Sequence, residues 1–464
     1  MRAADTIAYW EVPTMDVSAA LKGRTRLAAL LHQLEHGSEE WAKAKGPARA
    51  LDRRNRRTWR QLVLAVLVAR SMRLLALGRV IAPQRRVHSV KAAAMALTYF
   101  LQTARVAVPA LSQGLLEAAV RQVDPKRLVT YRGKVLVVID PTEYAKRSRG
   151  RGKCGRQMQH IGRVRKATGK GTTYGYVDIW AGLVLTKKQF LPLARRLFTS
   201  RHPHLKSQNQ VEEAVLEDAL ALVCRLHLEA IVVGDRGLGR KELIIDLAKQ
   251  EQDLVLRVDP DITVYEPDHA EGRRLDVALA AQPWWADGEW DRGPEGVLRC
   301  RLRVLRATIR FSRTGRKDDV KEATVTFVQA VPREGPGAAT PAPLVLATTL
   351  PVDTPAQARA VVRLYAQRWA IETGFETMHA WGQDAFMVRS WTAIDRLLWV
   401  LALAYALLVL ALVLRPFRRL REQATALLHR LSVVGDHLTV GKLAEAIGLD
   451  YQRHYRAWSH VWLP

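Results

Sequence analysis

The feature that most constrains this chain is a run of 18 apolar residues, 397–414, bounded by Arg396 and Arg415. A helix that is apolar on every side needs apolar surroundings on every side. It is therefore either a membrane span at the short limit of spanning length or the centre of a large core. The run is the only one of its kind, lies late in the chain and directly follows the polar-striped helix described below. These points favour the core, so a buried helix and no membrane contact are expected. The chain can supply such a core: 464 residues, 48% of them hydrophobic, suffice for about three domains of ~150 residues each. That composition excludes wholesale disorder.

Charge points to the partner. Lys and Arg total 72 against 45 Asp and Glu, a net +27 with a pI near 10.5. The excess is concentrated. Residues 51–210 carry 33 Lys and Arg against 6 Asp and Glu, which equals the whole net charge, while the flanking segments nearly cancel. A basic surface that served only solubility would be diluted along the chain, so the clustering argues for a face that binds a polyanion such as nucleic acid. Binding through phosphates releases counterions and should weaken steeply with salt. Cys154, Cys224 and Cys300 lie too far apart for a disulfide framework or a CxxC zinc site and suit a reducing cytoplasm. MRAADTIAYW has charges and no apolar stretch, so no secretory leader is expected.

Residues 17–125 read as helices, with an apolar stripe through Leu21, Leu27, Leu30 and Leu31 and a long Leu/Val/Ala pattern from Trp59 to Leu77. Arg53, Arg54, Arg56, Arg57 and Arg60 stand at the head of the second pattern as candidate DNA-phosphate contacts. At Lys134 the period changes. VLVVI (135–139) is a β-branched run ending at Asp140-Pro141 and is followed by a loop rich in Arg, Lys and Gly. TTYGYVDIW and GLVLTKKQF read as two strands turning at Ala181-Gly182. Residues 211–227 read as a helix, 230–233 as a buried strand ending at Gly234-Asp235, 240–250 as a helix and 253–258 as a strand. Strands alternating with helices mean an α/β sheet. From 259 to about 343 the pattern turns β-rich, as an insertion outside that sheet. A buried strand resumes at 344–350, one helix is expected from Pro355 to about Met387, and residues 416–464 read as a helical tail.

Asp140 and Asp235 each follow a short apolar strand. In an α/β sheet the carboxyl ends of the strands open into the ligand crevice, and Mg²⁺ takes one or two carboxylates while keeping other positions for water and phosphate. One such Asp is commonly a turn residue; two on neighbouring strands would form a cation site. In LYAQRWAIETGFETMHAWGQ, Tyr365, Arg368, Glu372 and His379 fall within an arc of about 60° on one helical face. An exposed polar stripe with an Arg368–Glu372 ion pair is the simpler account of that helix alone. Following two strand-end aspartates in so basic a chain, Glu372 becomes the third acid. Thr142 and Lys146, close after Asp140, are placed to hold substrate phosphates.

These segments resemble the DDE transposases of bacterial insertion sequences, in the insertion-sequence-four branch marked by a Tyr-x2-Arg-x3-Glu-x6-Lys signature. The resemblance runs from about 134 to 395 through VLVVIDPTEYAK, IVVGDRGLGR and YAQRWAIETGFETMH, with His379 where the signature has Lys. It implies a ribonuclease-H-like mixed α/β core interrupted by a β-rich insertion. A helical DNA-binding region would precede the core and a helical tail would follow it. The boundaries expected are 1–130 for the N-terminal region, 131–258 and 344–415 for the core, 259–343 for the insertion and 416–464 for the tail. By the resemblance Asp140, Asp235 and Glu372 are the catalytic, metal-binding triad, holding two Mg²⁺ ions that Mn²⁺ can replace. Tyr365, Arg368 and His379 would contact DNA. The implied activity is cleavage and strand transfer at terminal inverted repeats, by a homodimer on double-stranded DNA in the bacterial cytoplasm. Two neighbouring functions share such a core: a transposase-derived DNA-binding protein that no longer cuts, and a nuclease that cuts without joining.

Overall fold

A computed structural model describes residues 27–36, 53–84, 89–103, 108–146, 158–165, 171–267, 269, 271–313, 316, 319–333, 341–430 and 438–462. The first described elements are helices: α1 (27–36), α2 (Arg53–Ala69), α3 (Leu74–Gln84), α4 (Val90–Thr103) and α5 (Val108–Arg121). Strands begin where the sequence period changes, with β1 (Thr130–Tyr131), β2 (Lys134–Lys146), β3 (Gly162–Arg165), β4 (Thr172–Thr186) and β5 (Gln189–Phe198). Helices and strands then alternate: α6 (Gln208–Arg225), β6 (Ala230–Gly234), α7 (Lys241–Lys249) and β7 (Asp253–Arg257). A β-rich stretch follows, comprising β8 (Thr263–Tyr265), β9 (Arg273–Arg274), α8 (Leu275–Ala280), β10 (Ala286–Asp291), β11 (Val297–Ser312) and β12 (Val320–Pro332). The chain continues with β13 (Leu344–Thr348), α9 (Pro355–Ala366), α10 (Trp369–Ala380), α11 (Trp391–Val413), α12 (Arg418–Arg430) and α13 (Val440–Trp462).

The fold is mixed α/β. The described strands form one mixed sheet in the order β3-β4-β2-β6-β7-β13-β12-β11-β8-β9, with β1, β5 and β10 attached to β2, β4 and β11. Its centre, β2-β6-β7, is parallel and is flanked by antiparallel β4 and β13. β6 is buried at every position, β7 at its three middle positions and β2 from Val135 to Ile139. Strands covered on both faces have to be continuous apolar runs, which is why these segments stand out in the sequence.

Three expectations change. β2 does not stop before Asp140 but runs through Asp140 and Pro141 to Lys146, paired with β4 throughout. Val135 donates its N–H to Glu229, on the β6 side. By the two-residue alternation of a strand, the N–H that Pro141 lacks would face the same side, beyond Gly234 where β6 has ended, so the proline breaks no bond. The hairpin does not turn at Ala181-Gly182. β4 passes through that pair with a bulge and turns at Lys187-Lys188. Gly182 is there for contact, since a Cβ would lie 2.1 Å from the Phe190 ring. Finally, the β11–β12 hairpin is not outside the alternating sheet: β12 pairs with β13 from Ala330 to Thr326 and extends the sheet.

The apolar run is α11, with every residue from Leu397 to Ala411 buried. It is long and apolar enough to cross a membrane, yet 83% of its apolar window is buried inside the protein. α2, α4, α5, α13 and β5 pack around it, so the helical N-terminal region and the sheet share it as a common core element. Ser390 caps its start by accepting the Ala393 N–H. At ~1.5–3 kcal/mol for each fully buried Leu or Val side chain, this helix is a principal source of the hydrophobic driving force.

Candidate active site

Parallel register brings the first two acids together. Ile139 is the Cα partner of Gly234, so the residues that follow, Asp140 within β2 and Asp235 just past the end of β6, lie side by side. Gly234 in turn opposes Leu256, which places Arg257 at the end of the next parallel strand, 3.7 Å from Asp235. Asp140 and Asp235 line a cleft of about 580 Å³ together with Glu143, Arg165, Glu212 and Arg236. This is the crevice at the carboxyl ends of parallel strands where α/β proteins bind ligands.

The third acid comes from helices that start legibly and then depart from the expectation. Thr354 and Gln357 form a capping box with Pro355 in the first turn of α9. The single helix expected through this region is two, because the backbone tightens at Gln367-Arg368. Gln367, Arg368, Ala370 and Ile371 all donate to the carbonyl three residues back, the hydrogen bonding of a 3₁₀ turn. Neither Gly nor Pro marks the break. Glu372 lies in the first turn of α10, and Gly374 lets that helix sit against the sheet, since a Cβ there would come within 2.1 Å of the Phe190 ring.

Arg368 sits among the acids. Its Nη1 lies 3.4 Å from Asp140 Oδ2 and makes a close ion pair with Glu372 Oε1. Tyr365 donates its hydroxyl to Asp235 Oδ1 at 3.1 Å. Burial pushes the Asp140 carboxyl up to about 8, with Arg368 opposing the rise and Glu372 and Asp235 adding to it. Burial raises Glu372 as well, with Arg368 opposing. Asp235 goes the other way: burial works to raise it, but Arg368, the Arg236 backbone N–H, Arg257 and the Tyr365 hydroxyl hold it below the usual carboxylate range. Arg368 is buried, and its Nε–H has no hydrogen-bond partner. Among the described residues no group of three His, Cys, Asp or Glu side chains is arranged to hold a metal ion as it stands. The acids converge, but on a guanidinium.

The remaining expected contacts are placed differently. Thr142 is buried and shares a 3.0 Å hydrogen bond with His379 Nε2, so each occupies the other rather than facing the cleft. Burial also holds His379 below its usual imidazole range. Lys146 is not open to phosphate. β2 carries it under Phe386, where its ammonium donates to the Asp384 and Phe386 carbonyls at 2.6 and 3.0 Å, and burial lowers it to about 7. Of the N-terminal arginines, Arg54 and Arg57 are exposed and Arg56 is half-buried. Arg60 is turned onto Glu35, donating from Nε at 2.7 and 3.0 Å, which withdraws it from the expected DNA face. The Arg53 side chain and residues 147–157 and 166–170, which carry seven Lys and Arg, lie outside the described residues.

Sequence reading missed several residues. Arg257 could have been found by extending the strand-end argument to the third parallel strand. Glu212, buried and paired with Arg240, carries only the signal of an acid on the apolar side of a helix. A buried network below the site had no sequence signal. Asp178 accepts from Tyr144, Trp180 and Arg195, each at 2.8 Å; Arg195 also reaches Asp395 at 2.8 Å; and Gln383 donates to the Tyr144 hydroxyl. It ties β2, β4 and β5 to the segment between α10 and α11.

No curated protein matches the chain. Residues 204–407 match the family described as the transposase DDE domain, a span that contains Asp235 and Glu372 and begins after Asp140. The chain is thus similar over this segment to the transposase DDE domain, a match that supports a DDE transposase.

Proposed function

We propose that this protein is a DDE transposase that binds insertion-sequence ends in double-stranded DNA and performs metal-dependent strand cleavage followed by strand transfer. The observation that carries the reading is the adjacency of Asp140, within β2, and Asp235, just past the end of the parallel strand β6, with Glu372 joined to Asp140 through one guanidinium. The donors suit Mg²⁺ or Mn²⁺: all are hard carboxylate oxygens, Asp140 and Asp235 line a polar cleft, and all three acids already feel one positive charge, that of Arg368. Asp140, Asp235 and Glu372 would hold two such ions. When bound, the pair supplies activation of the attacking oxygen and charge stabilisation of the departing one in an in-line displacement at phosphorus.

The chain's own residues do the positioning. Tyr365 and Arg257 both hold the Asp235 carboxylate through its Oδ1. Arg368 presents a delocalised cation suited to bidentate contact with a phosphate. Water attacks the phosphodiester at the element end, the P–O3′ bond breaks, and a free 3′-hydroxyl and a 5′-phosphate remain. That hydroxyl then attacks a target phosphodiester and displaces the 3′-oxygen there, so one P–O bond forms as one breaks and no nucleotide cofactor is needed. The basic N-terminal half would track DNA backbone, and two ends brought together would engage a homodimer in the bacterial cytoplasm.

The test is a labelled duplex carrying the inverted repeats that flank the gene, incubated with the full chain and Mg²⁺. Cleaved and joined products are expected, and Asp235→Ala should abolish both while leaving end-binding in place. Normal cutting by that variant contradicts the assignment.

A further inference from the structure

We propose that Arg368 is the resident cation of the acid cluster: it holds Asp140 and Glu372 together in the metal-free protein and has to leave them before a divalent ion can be bound. The inference rests on the function proposed above and adds to it a competition between one side chain and the metal.

Arg368 Nη1 contacts Asp140 Oδ2 at 3.4 Å and pairs closely with Glu372, while its charge also acts on Asp235. The same nitrogen touches the two acids that come from different elements, so it acts as a bridge rather than as a one-sided ion pair. With the bridge in place, no three acids are arranged for a metal among the described residues. A guanidinium and a divalent ion cannot share the same carboxylate oxygens, because like charges at that separation repel strongly in a partly buried site. The side chain is also poorly satisfied where it lies. Its Nε–H is buried without a partner, and its closest contacts to both acids run through the same nitrogen, Nη1, whereas a guanidinium can present two parallel N–H groups to a phosphate. A phosphodiester entering the cleft offers the better partner. The tight turn at Gln367-Arg368 puts this residue at the joint between α9 and α10, so its release need not carry Glu372 away. Metal loading and substrate binding would then be coupled, which keeps a free protein from holding an activated metal pair.

The experiment is calorimetric titration of the full chain with MnCl₂ in the absence of DNA, comparing wild type with Arg368→Gln. Removing the competing cation is expected to tighten Mn²⁺ binding by about tenfold or more. Equal or weaker binding by Arg368→Gln, with both proteins binding, overturns the role. If neither protein takes up Mn²⁺, with or without DNA, the metal-dependent function fails first and this role falls with it. A second measurement holds if Arg368→Gln does not fold. In wild type, the arginine side-chain nuclear magnetic resonance signal that disappears in Arg368→Lys should move on titration with diamagnetic Mg²⁺. A signal that stays still while Mg²⁺ binds overturns the proposal.

Discussion

Asp140 gives the sharpest quantitative expectation. Its side chain is 14% exposed, and burial holds its carboxyl at about 8 in the folded protein against 3.8 for the free group. A carboxyl raised on folding contributes stability that is fully present below the unfolded value and is lost as pH rises through the folded one. The window is therefore pH 4 to 8. Each pH unit within it costs at most ~1.4 kcal/mol, so the metal-free protein loses up to ~4 kcal/mol between pH 4 and pH 7, and ~3 kcal/mol if the cleft relaxes enough to halve the shift. Asp140→Asn replaces the acid with a neutral group of the same shape and removes this dependence. In denaturant melts without metal, the variant should match wild type near pH 4 and exceed it by ~3 kcal/mol at pH 8. Added Mn²⁺ should stabilise wild type, increasingly so as pH rises and the proton is easier to displace, and should do little for Asp140→Asn. A difference that does not change with pH, or a variant less stable than wild type at pH 8, would refute the reasoning.

Other perturbations test the scaffold and the DNA face. Asp178→Asn leaves Arg195 fully buried with Asp395 as its remaining carboxylate and should cost about 3–5 kcal/mol in chemical denaturation; a loss below ~1 kcal/mol would mean that the network is replaceable. Gly374→Ala drives a methyl into the Phe190 ring and should cost about 1–3 kcal/mol, a penalty that Phe190→Leu should partly relieve. Arg54→Ala and Arg57→Ala should each flatten the dependence of log K on log salt by roughly 0.9 in DNA binding, whereas Arg60→Ala should lower stability through Glu35 and leave that slope unchanged.

What could be read from the sequence follows from which interactions are local. Strands covered on both faces announce themselves as apolar runs, so β6, β7 and β13 were placed within one or two residues, as were the acids that end β2's buried half and β6. That Asp140 and Asp235 are neighbours depends on strand order, which no local pattern encodes. The break before Trp369 has no local signal, since neither Gly nor Pro marks it; the turn is made by three-residue hydrogen bonds within a sequence that favours helix. Ala181-Gly182 misled for the opposite reason. The glycine signals close approach of Phe190, and a turn and a bulge use the same residue for different ends. Lys146 looked like a member of a basic loop because the pairing that extends β2 to its end lies on β4, some 30 residues downstream. The polar network around Asp178 and Arg195 was invisible for a related reason: each member alone is an ordinary strand or helix residue.

The account depends on three carboxylates from β2, β6 and α10 serving one pair of ions. Anomalous scattering from a crystal of the full chain soaked in Mn²⁺ with a short cleaved duplex tests this most directly. Manganese peaks are predicted between the oxygens of Asp140, Asp235 and Glu372, with Arg368 withdrawn onto a DNA phosphate. Manganese bound elsewhere, with Arg368 still bridging Asp140 and Glu372, would contradict it.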